Sequence, residues 1–355
     1  MKDEYFAVIV LFCIKMLRGE RSLPAVYHLF KGKKSSQTIQ DCRLFNLHQL
    51  FSLFQDITRR DIEDAGKYLV ENGYVLCSAE DKYLITQQGE TFLSSTMQKR
   101  HIPSLLNGWE YGDAARELWS KLALLVQVLS NYKDGHKAYL PITNNEKTIS
   151  WLKSYLPANR EERLALSSQL YAELSHLLQE HSTAEAEIFV YKLSSAKRIG
   201  YTNSQIADMF TENESFVSLS FWNVLHGIVS KADSGKFPVL HEIANTHKRE
   251  RLYLTASTAK TLQFISSGFT IDEIAVRRGL KKNTIEDHIV EIALNDPAFE
   301  YEGFISTDQL DAIVREIKNK NTFQLKVLKE ALKHEYSYFQ IRLAVAVAGK
   351  EILHK

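Results

Sequence analysis

One segment near the C-terminus restricts the fold more than any other part of the chain. Thr270 stands where it can cap a helix, and Glu273 follows three residues later, which is the spacing of a capping box. Gly279 follows and tolerates a positive φ, so the backbone can turn sharply there. Beyond the turn, Ile285 and Ile289 recur at helical spacing. A capped helix, a glycine turn and a second amphipathic helix together predict a helix-turn-helix.

Helices before and after the turn complete this module. Thr255 is expected to cap a preceding helix that ends at Gly268. Asn283 is expected to cap the helix after the turn, with Glu286 at the reciprocal position of a second capping box. The predicted buried sides of the three helices consist of Leu262, Ile265, Ile271, Ile274, Ala275, Ile285, Ile289 and Ile292.

A weaker form of the same pattern lies upstream. Gly200–Ala207 repeats the Gly-aromatic-Thr-x-x-x-Ile-Ala arrangement of Gly268–Ala275, displaced by 68 positions. The residues after Asp208 do not reproduce the glycine turn. A degenerate second helix-turn-helix is one interpretation. The other is the chance recurrence of a common helix-start pattern, and the missing glycine favours it.

The N-terminal region predicts a helix followed by a hairpin. Thr58 can cap a helix that stops at Asn72-Gly73. The stretches Tyr74–Cys77 and Lys82–Thr86, separated by a polar turn, have the pattern of two short strands. This order is that of a winged helix, in which the helix enters a DNA groove and the hairpin follows the backbone. A small α+β domain that only packs is an equally open interpretation.

We expect a mainly α fold with three domains: a winged-helix-like region over residues 1–100, an all-helical region over 101–232 and a helix-turn-helix domain over 253–350. The polar stretch from Ala232 to Arg251 is the expected linker before the last domain. The apolar run Tyr5–Ile14 is too short to cross a bilayer and has charges at both ends, so it is interpreted as a buried helix. The expected location is the cytoplasm, including the nucleoid.

Composition and the absence of catalytic motifs narrow the classes of function that are open to this chain. Positive and negative charges nearly balance, at 44 Lys+Arg against 43 Asp+Glu, so any nucleic-acid contact has to come from a local basic patch. The three cysteines have no metal-binding spacing and indicate reduced thiols. The chain contains no G-x-x-x-x-G-K-[ST] phosphate loop and no H-E-x-x-H motif. We therefore expect a non-enzymatic protein without cofactor, metal, small-molecule substrate or membrane partner. A nuclease built from scattered acidic residues is the remaining catalytic alternative.

Candidate DNA-contacting residues share side chains that donate to phosphate oxygens or base edges. In the helix-turn-helix they are Arg277, Arg278, Lys281, Lys282, Thr284 and His288. In the N-terminal basic turn and the winged-helix segment they are Lys31, Lys33, Lys34, Arg59 and Arg60. A further basic run contains Arg315, Lys318, Lys320, Lys326, Lys329 and Lys333. Each cluster taken alone is also typical of a solvated face.

Acidic residues count against groove binding by the helix after the turn, although the expected capping role of Glu286 accounts for that one. Glu286, Asp287 and Glu291 lie on that helix, and like charges repel a polyanion. The module therefore has two open interpretations, one in which it binds DNA and one in which it docks or packs against protein.

The C-terminal segments resemble a known domain. Gly268–Ala275, Arg278–Leu280 and Thr284–Ile289 are similar to the helicase helix-turn-helix domain found at the C-termini of RecQ-type helicases. Taken whole, with Tyr27–Gln40 near its start, the chain resembles the YpbB-like proteins of Gram-positive bacteria, which carry this module without a motor. The resemblance implies an association with a RecQ-family helicase.

Three functional hypotheses follow. The first is an accessory factor for DNA repair or recombination that binds duplex or branched DNA and a RecQ-family helicase. The second is a transcription regulator, for which a dimer and a palindromic operator are expected. The third is an adaptor that binds only protein and has no salt-sensitive affinity for DNA.

Overall fold

The computed structural model describes residues 3–78, 82–136, 138–232, 235–244 and 254–353. Within them the chain is mainly helical, which confirms the predicted fold class. The helices, in chain order, are α1 (Glu4–Leu17), α2 (Pro24–Phe30), α3 (Ser36–Leu44), α4 (Arg59–Glu71), α5 (Gln87–Lys99), α6 (Gly108–Lys133), α7 (Glu146–Tyr155), α8 (Arg160–Leu178), α9 (Thr183–Lys192), α10 (Asn203–Phe210), α11 (Glu214–Ala232), α12 (Pro238–Ala244), α13 (Ala256–Ser266), α14 (Ile271–Arg278), α15 (Lys282–Asn295), α16 (Thr307–Lys320), α17 (Leu325–Ala331) and α18 (Tyr338–Leu353). The strands β1 (Val75–Cys77) and β2 (Tyr83–Ile85) form one antiparallel pair.

The described residues group into two compact units. One draws on residues 1–10 and 90–248, and the other on residues 11–89 and 249–355, so the division passes within α1 and α5. Each unit therefore combines segments that are distant in sequence. The three predicted domains stay a prediction, but the N-terminal and C-terminal regions of that scheme contribute most of one compact unit.

The first unit is built around α11. This helix packs against α6, α9, α10 and α12. The ring of Trp119 lies edge-on to that of Phe221, with 4.7 Å between centroids, which is a favoured aromatic geometry in protein cores. Part of the predicted linker belongs to this core, because Val239, Leu240 and Ile243 of α12 are buried. The rest of that linker falls largely on residues outside those described.

The apolar run near the N-terminus is interior, as expected of a buried helix. Every residue from Tyr5 to Leu11 is buried. Among the described residues, no helix is both long and apolar enough to cross a membrane.

The second unit contains the predicted helix and hairpin. Thr58 and Asp61 form a capping box at the start of α4. Ile62, Ala65 and Leu69 are buried on one side of that helix, as their helical spacing predicted. Val75 pairs with Ile85 and Cys77 with Tyr83, which confirms the predicted hairpin. Within the same unit, α15 packs against α3, α13, α14 and α18.

The weaker upstream pattern at Gly200–Ala207 also forms a helix-turn-helix. α10 and α14 both have eight residues, and their ends differ by 68 positions, as do the starts of α11 and α15. Thr202 and Gln205 form a capping box, as Thr270 and Glu273 do. Residues 203–232 and 271–295 therefore each form a helix-turn-helix, and α11 packs against the preceding α9 as α15 packs against the preceding α13.

The two turns also agree in backbone conformation. Thr211 has a φ of 54° where Gly279 has a φ of 61°. Glu212 N–H donates to the Ala207 carbonyl at 2.9 Å, and Leu280 N–H donates to the Ala275 carbonyl at 3.0 Å. Chance recurrence was therefore the wrong interpretation. That interpretation relied on the absence of a glycine at the turn. Thr211 nevertheless adopts the left-handed conformation, which glycine adopts without steric cost.

Candidate nucleic-acid interface

The turn between α14 and α15 has the geometry that the sequence predicted. Thr270 N–H donates to Glu273 Oε2 at 2.9 Å, and Glu273 N–H donates to Thr270 Oγ1 at 3.4 Å. Gly279 ends α14 in the left-handed region, and its N–H donates to the Ala275 carbonyl. The capping box and the glycine turn thus fix the direction in which α15 leaves α14.

The start of α15 differs from the prediction. Lys281, not Asn283, is the N-cap residue, and its side chain makes no cap hydrogen bond. The Lys281 carbonyl accepts hydrogen bonds from Thr284 N–H at 2.9 Å and Ile285 N–H at 3.3 Å. The helix therefore begins two residues earlier than expected. Asn283 is left exposed in its first turn.

Every residue of α15 from His288 to Ile292 is buried. Ile285, Ile289 and Ile292 are buried, as predicted. Val290 and Leu294 are buried as well, because α3 and α18 cover the helix in addition to α13 and α14. Only its first turn is exposed to solvent, at residues 282–283. A helix packed in this way cannot lie along a major groove, so nucleic-acid contact by this helix is limited to its N-terminal end.

Two of the three acidic residues of α15, Asp287 and Glu291, are held by protein. Asp287 Oδ1 lies 2.5 Å from a guanidinium nitrogen of Arg342 on α18. Glu291 accepts hydrogen bonds from Thr255 N–H at 2.5 Å and from Thr258 Oγ1 at 2.6 Å. Burial raises the pKa of Glu291 above its ordinary value, although these donors oppose the shift. Both carboxylates thus stabilise the unit rather than face a ligand.

Two residues expected to contact DNA are instead engaged within the protein, His288 buried and Arg278 half-buried. His288 is 7% exposed and lies 2.7 Å from Thr261 Oγ1, and burial, with the charge of Arg278 next, lowers its pKa. Arg278 donates to the Ser257 carbonyl at 2.8 Å and to Ser257 Oγ at 3.0 Å. His288 therefore cannot reach a phosphate in this conformation, and Arg278 joins α14 to α13.

Three cations remain at the turn. Arg277 is exposed, with its guanidinium carbon 4.2 Å from the centroid of the Phe269 ring. Lys281 is exposed at the cap position. Lys282 forms an exposed ion pair with Asp272 at 3.0 Å. Thr284, the last predicted contact here, is half-buried. The structure thus brings Arg277, Lys281 and Lys282 together around one turn.

The N-terminal basic turn belongs to the same unit. Lys31 donates to the Gln55 carbonyl, whereas Lys33 is exposed. Lys34 is also exposed, and its charge contributes to lowering the pKa of Glu291. The α3 helix that follows is fastened to α15 at its far end, because Arg43 donates to Asn295 Oδ1 at 2.6 Å. The hydrogen bond between Arg43 and Asn295 joins residues 252 positions apart, so no local sequence pattern predicts it.

The winged-helix segment offers less positive charge than its sequence indicated. Arg59 lies over the Tyr27 ring at 5.8 Å, and Arg60 pairs with Asp64 at 3.7 Å. The exposed side of α4 also carries the carboxylates of Asp61, Glu63, Asp64 and Glu71. A helix with this mixture of charges gives little net attraction to phosphates.

No metal-binding group stands out in this interface. Within the part of the chain that the structure describes, no three or more His, Cys, Asp or Glu side chains are placed to hold a metal ion.

Comparisons with known proteins place these features in context. The sequence profile of a family described as a helix-turn-helix domain matches residues 257–345, which include α14 and α15. Over 346 aligned residues the chain is 38% identical to a protein of Bacillus subtilis (strain 168) named YpbB, and the alignment covers 97% of this chain and 98% of that one. No solved structure matches the chain.

Proposed function

The chain belongs to the family of Bacillus subtilis YpbB, and from that premise we propose that it is a non-catalytic DNA-binding accessory protein. It acts in the cytoplasm with a RecQ-family helicase in DNA repair or recombination. The observation that carries the DNA part of the proposal is the helix-turn-helix domain at residues 257–345, since domains of this class bind DNA. The helicase part rests on the likeness of Gly268–Ala275 to the domain of RecQ-type helicases.

Burial of α15 limits the ways in which this protein can contact DNA. Side chains along the helix cannot read base edges, so contact with phosphates through Arg277, Lys281 and Lys282 is the mode that the turn allows. Lys33 and Lys34 add positive charge in the same unit. Binding of this kind is insensitive to sequence and strongly dependent on salt. This arrangement favours an accessory protein over a regulator that recognises one operator.

Fluorescence anisotropy of labelled duplex, single-stranded and forked DNA at two salt concentrations tests the proposal. We expect the wild-type affinity to fall steeply with salt, and charge reversal in Lys281→Glu/Lys282→Glu or Lys33→Glu/Lys34→Glu to weaken binding about tenfold at low salt. Lys147→Glu/Lys153→Glu is the matched control, because both lysines are exposed in the other compact unit. Wild-type binding no stronger than that of a neutral, unrelated protein would refute DNA binding.

The helicase part needs its own experiment. We expect the purified protein to form a complex with the RecQ-family helicase of the same organism on size-exclusion chromatography, and to change its rate of unwinding of forked DNA. Failure to form the complex, together with unchanged resistance to DNA damage in a deletion strain, would reject this part. The DNA-binding result would then stand alone.

A second candidate is an adaptor that binds only protein. Burial of α15 favours it, because the helix that usually reads DNA serves here as a core element packed against four others. The adaptor forms the helicase complex but shows no salt-dependent affinity for DNA. The two experiments together therefore separate it from the first candidate.

A further inference from the structure

A further cluster of positive charge in the second unit lies on the helices that follow the helix-turn-helix. Between residues 315 and 333 the chain has six cations and two carboxylates, whereas the whole protein has a net charge of +1. Four of these cations lie around the connection between α16 and α17, and we name them the α16–α17 basic surface: Arg315, Lys318, Lys320 and Lys326. All four side chains are exposed.

These four cations have few neutralising neighbours. Among the described residues, no carboxylate forms an ion pair with any of them within 4 Å. Four carboxylates lie on the same two helices: Asp308, Asp311 and Glu330 are exposed, and Glu316 is half-buried and accepts a hydrogen bond from Asn319 at 2.9 Å. At the helix-turn-helix turn, by contrast, Lys282 is paired with Asp272. A cation that has no carboxylate partner in the protein can neutralise a phosphate without first breaking an ion pair. Each phosphate neutralised in this way releases a counterion from the DNA, which favours binding.

The connection between the two helices that carry these cations is held in place. The Phe323 ring is buried and lies edge-on to the Phe45 ring, with 6.2 Å between centroids. Thr322 Oγ1 donates to Glu20 Oε2 at 2.9 Å, which also keeps that carboxylate turned into the protein. Positioned cations lose less conformational entropy when they bind than cations on a mobile loop do.

The same connection lies beside the hairpin. Lys82, which precedes β2, donates through Nζ to Gln324 Oε1 at 3.4 Å, and its backbone forms an isolated bridge with Ser22. A hairpin of a winged helix lies along the phosphate backbone of DNA. A duplex that follows this hairpin would therefore meet Lys82 first and then the lysines around the connection.

We propose that the α16–α17 basic surface, together with Lys82, is a binding site for the phosphodiester backbone of duplex DNA. The site extends the proposed function and rests on it, because it assigns most of the phosphate contact to a surface other than the helix-turn-helix turn. Contacts of this type position a duplex without reading its sequence.

The test compares the salt dependence of duplex affinity among variants. We expect Lys318→Glu/Lys320→Glu/Lys326→Glu to weaken binding more than Lys281→Glu/Lys282→Glu does, and to reduce the slope of log affinity against log salt by about 1 per lysine. The neutral variant Lys318→Gln/Lys320→Gln/Lys326→Gln should show a similar loss of slope. Melting temperatures of all variants establish that they are folded.

The matched control reverses three exposed lysines in the other unit, as Lys147→Glu/Lys153→Glu/Lys197→Glu. Wild-type-like affinity and slope in the α16–α17 variants, or an equal loss in the control, would overturn the site while the wild-type protein still binds DNA. Absence of salt-dependent binding by the wild-type protein would refute the proposed function itself, and the site with it.

Discussion

At the scale of single residues, the surroundings of His226 strongly constrain its charge. It is fully buried on α11, and its Nδ1 accepts a hydrogen bond from Asn107 N–H at 3.0 Å. Burial, with the nearby charge of Arg116 next, lowers the pKa of His226 to about 3. The neutral ring therefore belongs to the folded state, whereas the unfolded chain binds a proton near pH 6.5.

This difference gives a pH dependence with a definite sign. The contribution of His226 to stability is fully present above pH 6.5 and is lost as the pH falls from there towards 3. We expect the free energy of unfolding of His226→Gln, measured by urea titration, to fall less steeply than that of the wild type between about pH 6 and pH 4, by about 1.4 kcal/mol per pH unit. Glutamine keeps an acceptor for Asn107 N–H but has no charge to gain.

Parallel pH profiles for the two proteins would contradict the assignment of that titration to His226. A useful control is His136→Gln, since His136 is exposed in the segment that follows α6.

At the scale of elements, the two copies of the helix-turn-helix have different residues at their turns. Thr211 adopts a positive φ that costs an L-residue about 1–2 kcal/mol, and glycine avoids this cost. We expect Thr211→Gly to stabilise the protein by about 1 kcal/mol. Thermal and urea unfolding would measure this change.

The reciprocal substitution is the control. A Cβ added at Gly279 would meet no atom within 4 Å, so only backbone strain opposes Gly279→Thr. We expect that variant to lose about 1–2 kcal/mol. Equal, small effects of both substitutions would show that the left-handed turn is not the shared feature of the two copies.

The same comparison shows which elements can be predicted from sequence and which cannot. The capping box at Thr270, the turn at Gly279 and the strand pair beginning at Val75 depend on residues a few positions apart, so local chemistry was sufficient to predict them. The turn at Thr211 was missed, because tertiary packing overrides the preference of a single residue.

The candidate site was harder to predict for a related reason. Whether His288 faces solvent depends on Thr261, and whether Asp287 repels a phosphate depends on Arg342, which lies far along the chain. The helical period of α15 correctly predicted one buried side. It could not reveal that α3, from the other end of the chain, covers another side. Residue types thus indicated the candidate cations, but only long-range packing decides which of them are exposed.

At the scale of the whole molecule, the second unit combines residues 11–89 with residues 249–355, so a fragment with the helix-turn-helix alone lacks part of its core. The apolar residues of α15 are buried partly by α3, and Arg342 of α18 donates to Ser36 Oγ at 2.5 Å while it pairs with Asp287. A fragment that begins at residue 254 lacks α3 and would expose this side of α15 to water. Exposed apolar surface of that kind destabilises a small domain and promotes association.

We therefore expect residues 254–355 alone to unfold without a cooperative transition, or to aggregate, when they are monitored by circular dichroism and light scattering. Addition of a fragment of residues 1–244 should restore a cooperative transition, because it supplies α3 with Ser36 and Arg43. Arg43→Ala in that fragment, which removes the hydrogen bond to Asn295, should weaken the restoration. A monomeric, cooperatively folded fragment 254–355 would show instead that the helix-turn-helix domain is self-sufficient. Its contacts with α3 would then have to be explained by something other than the stability of α15.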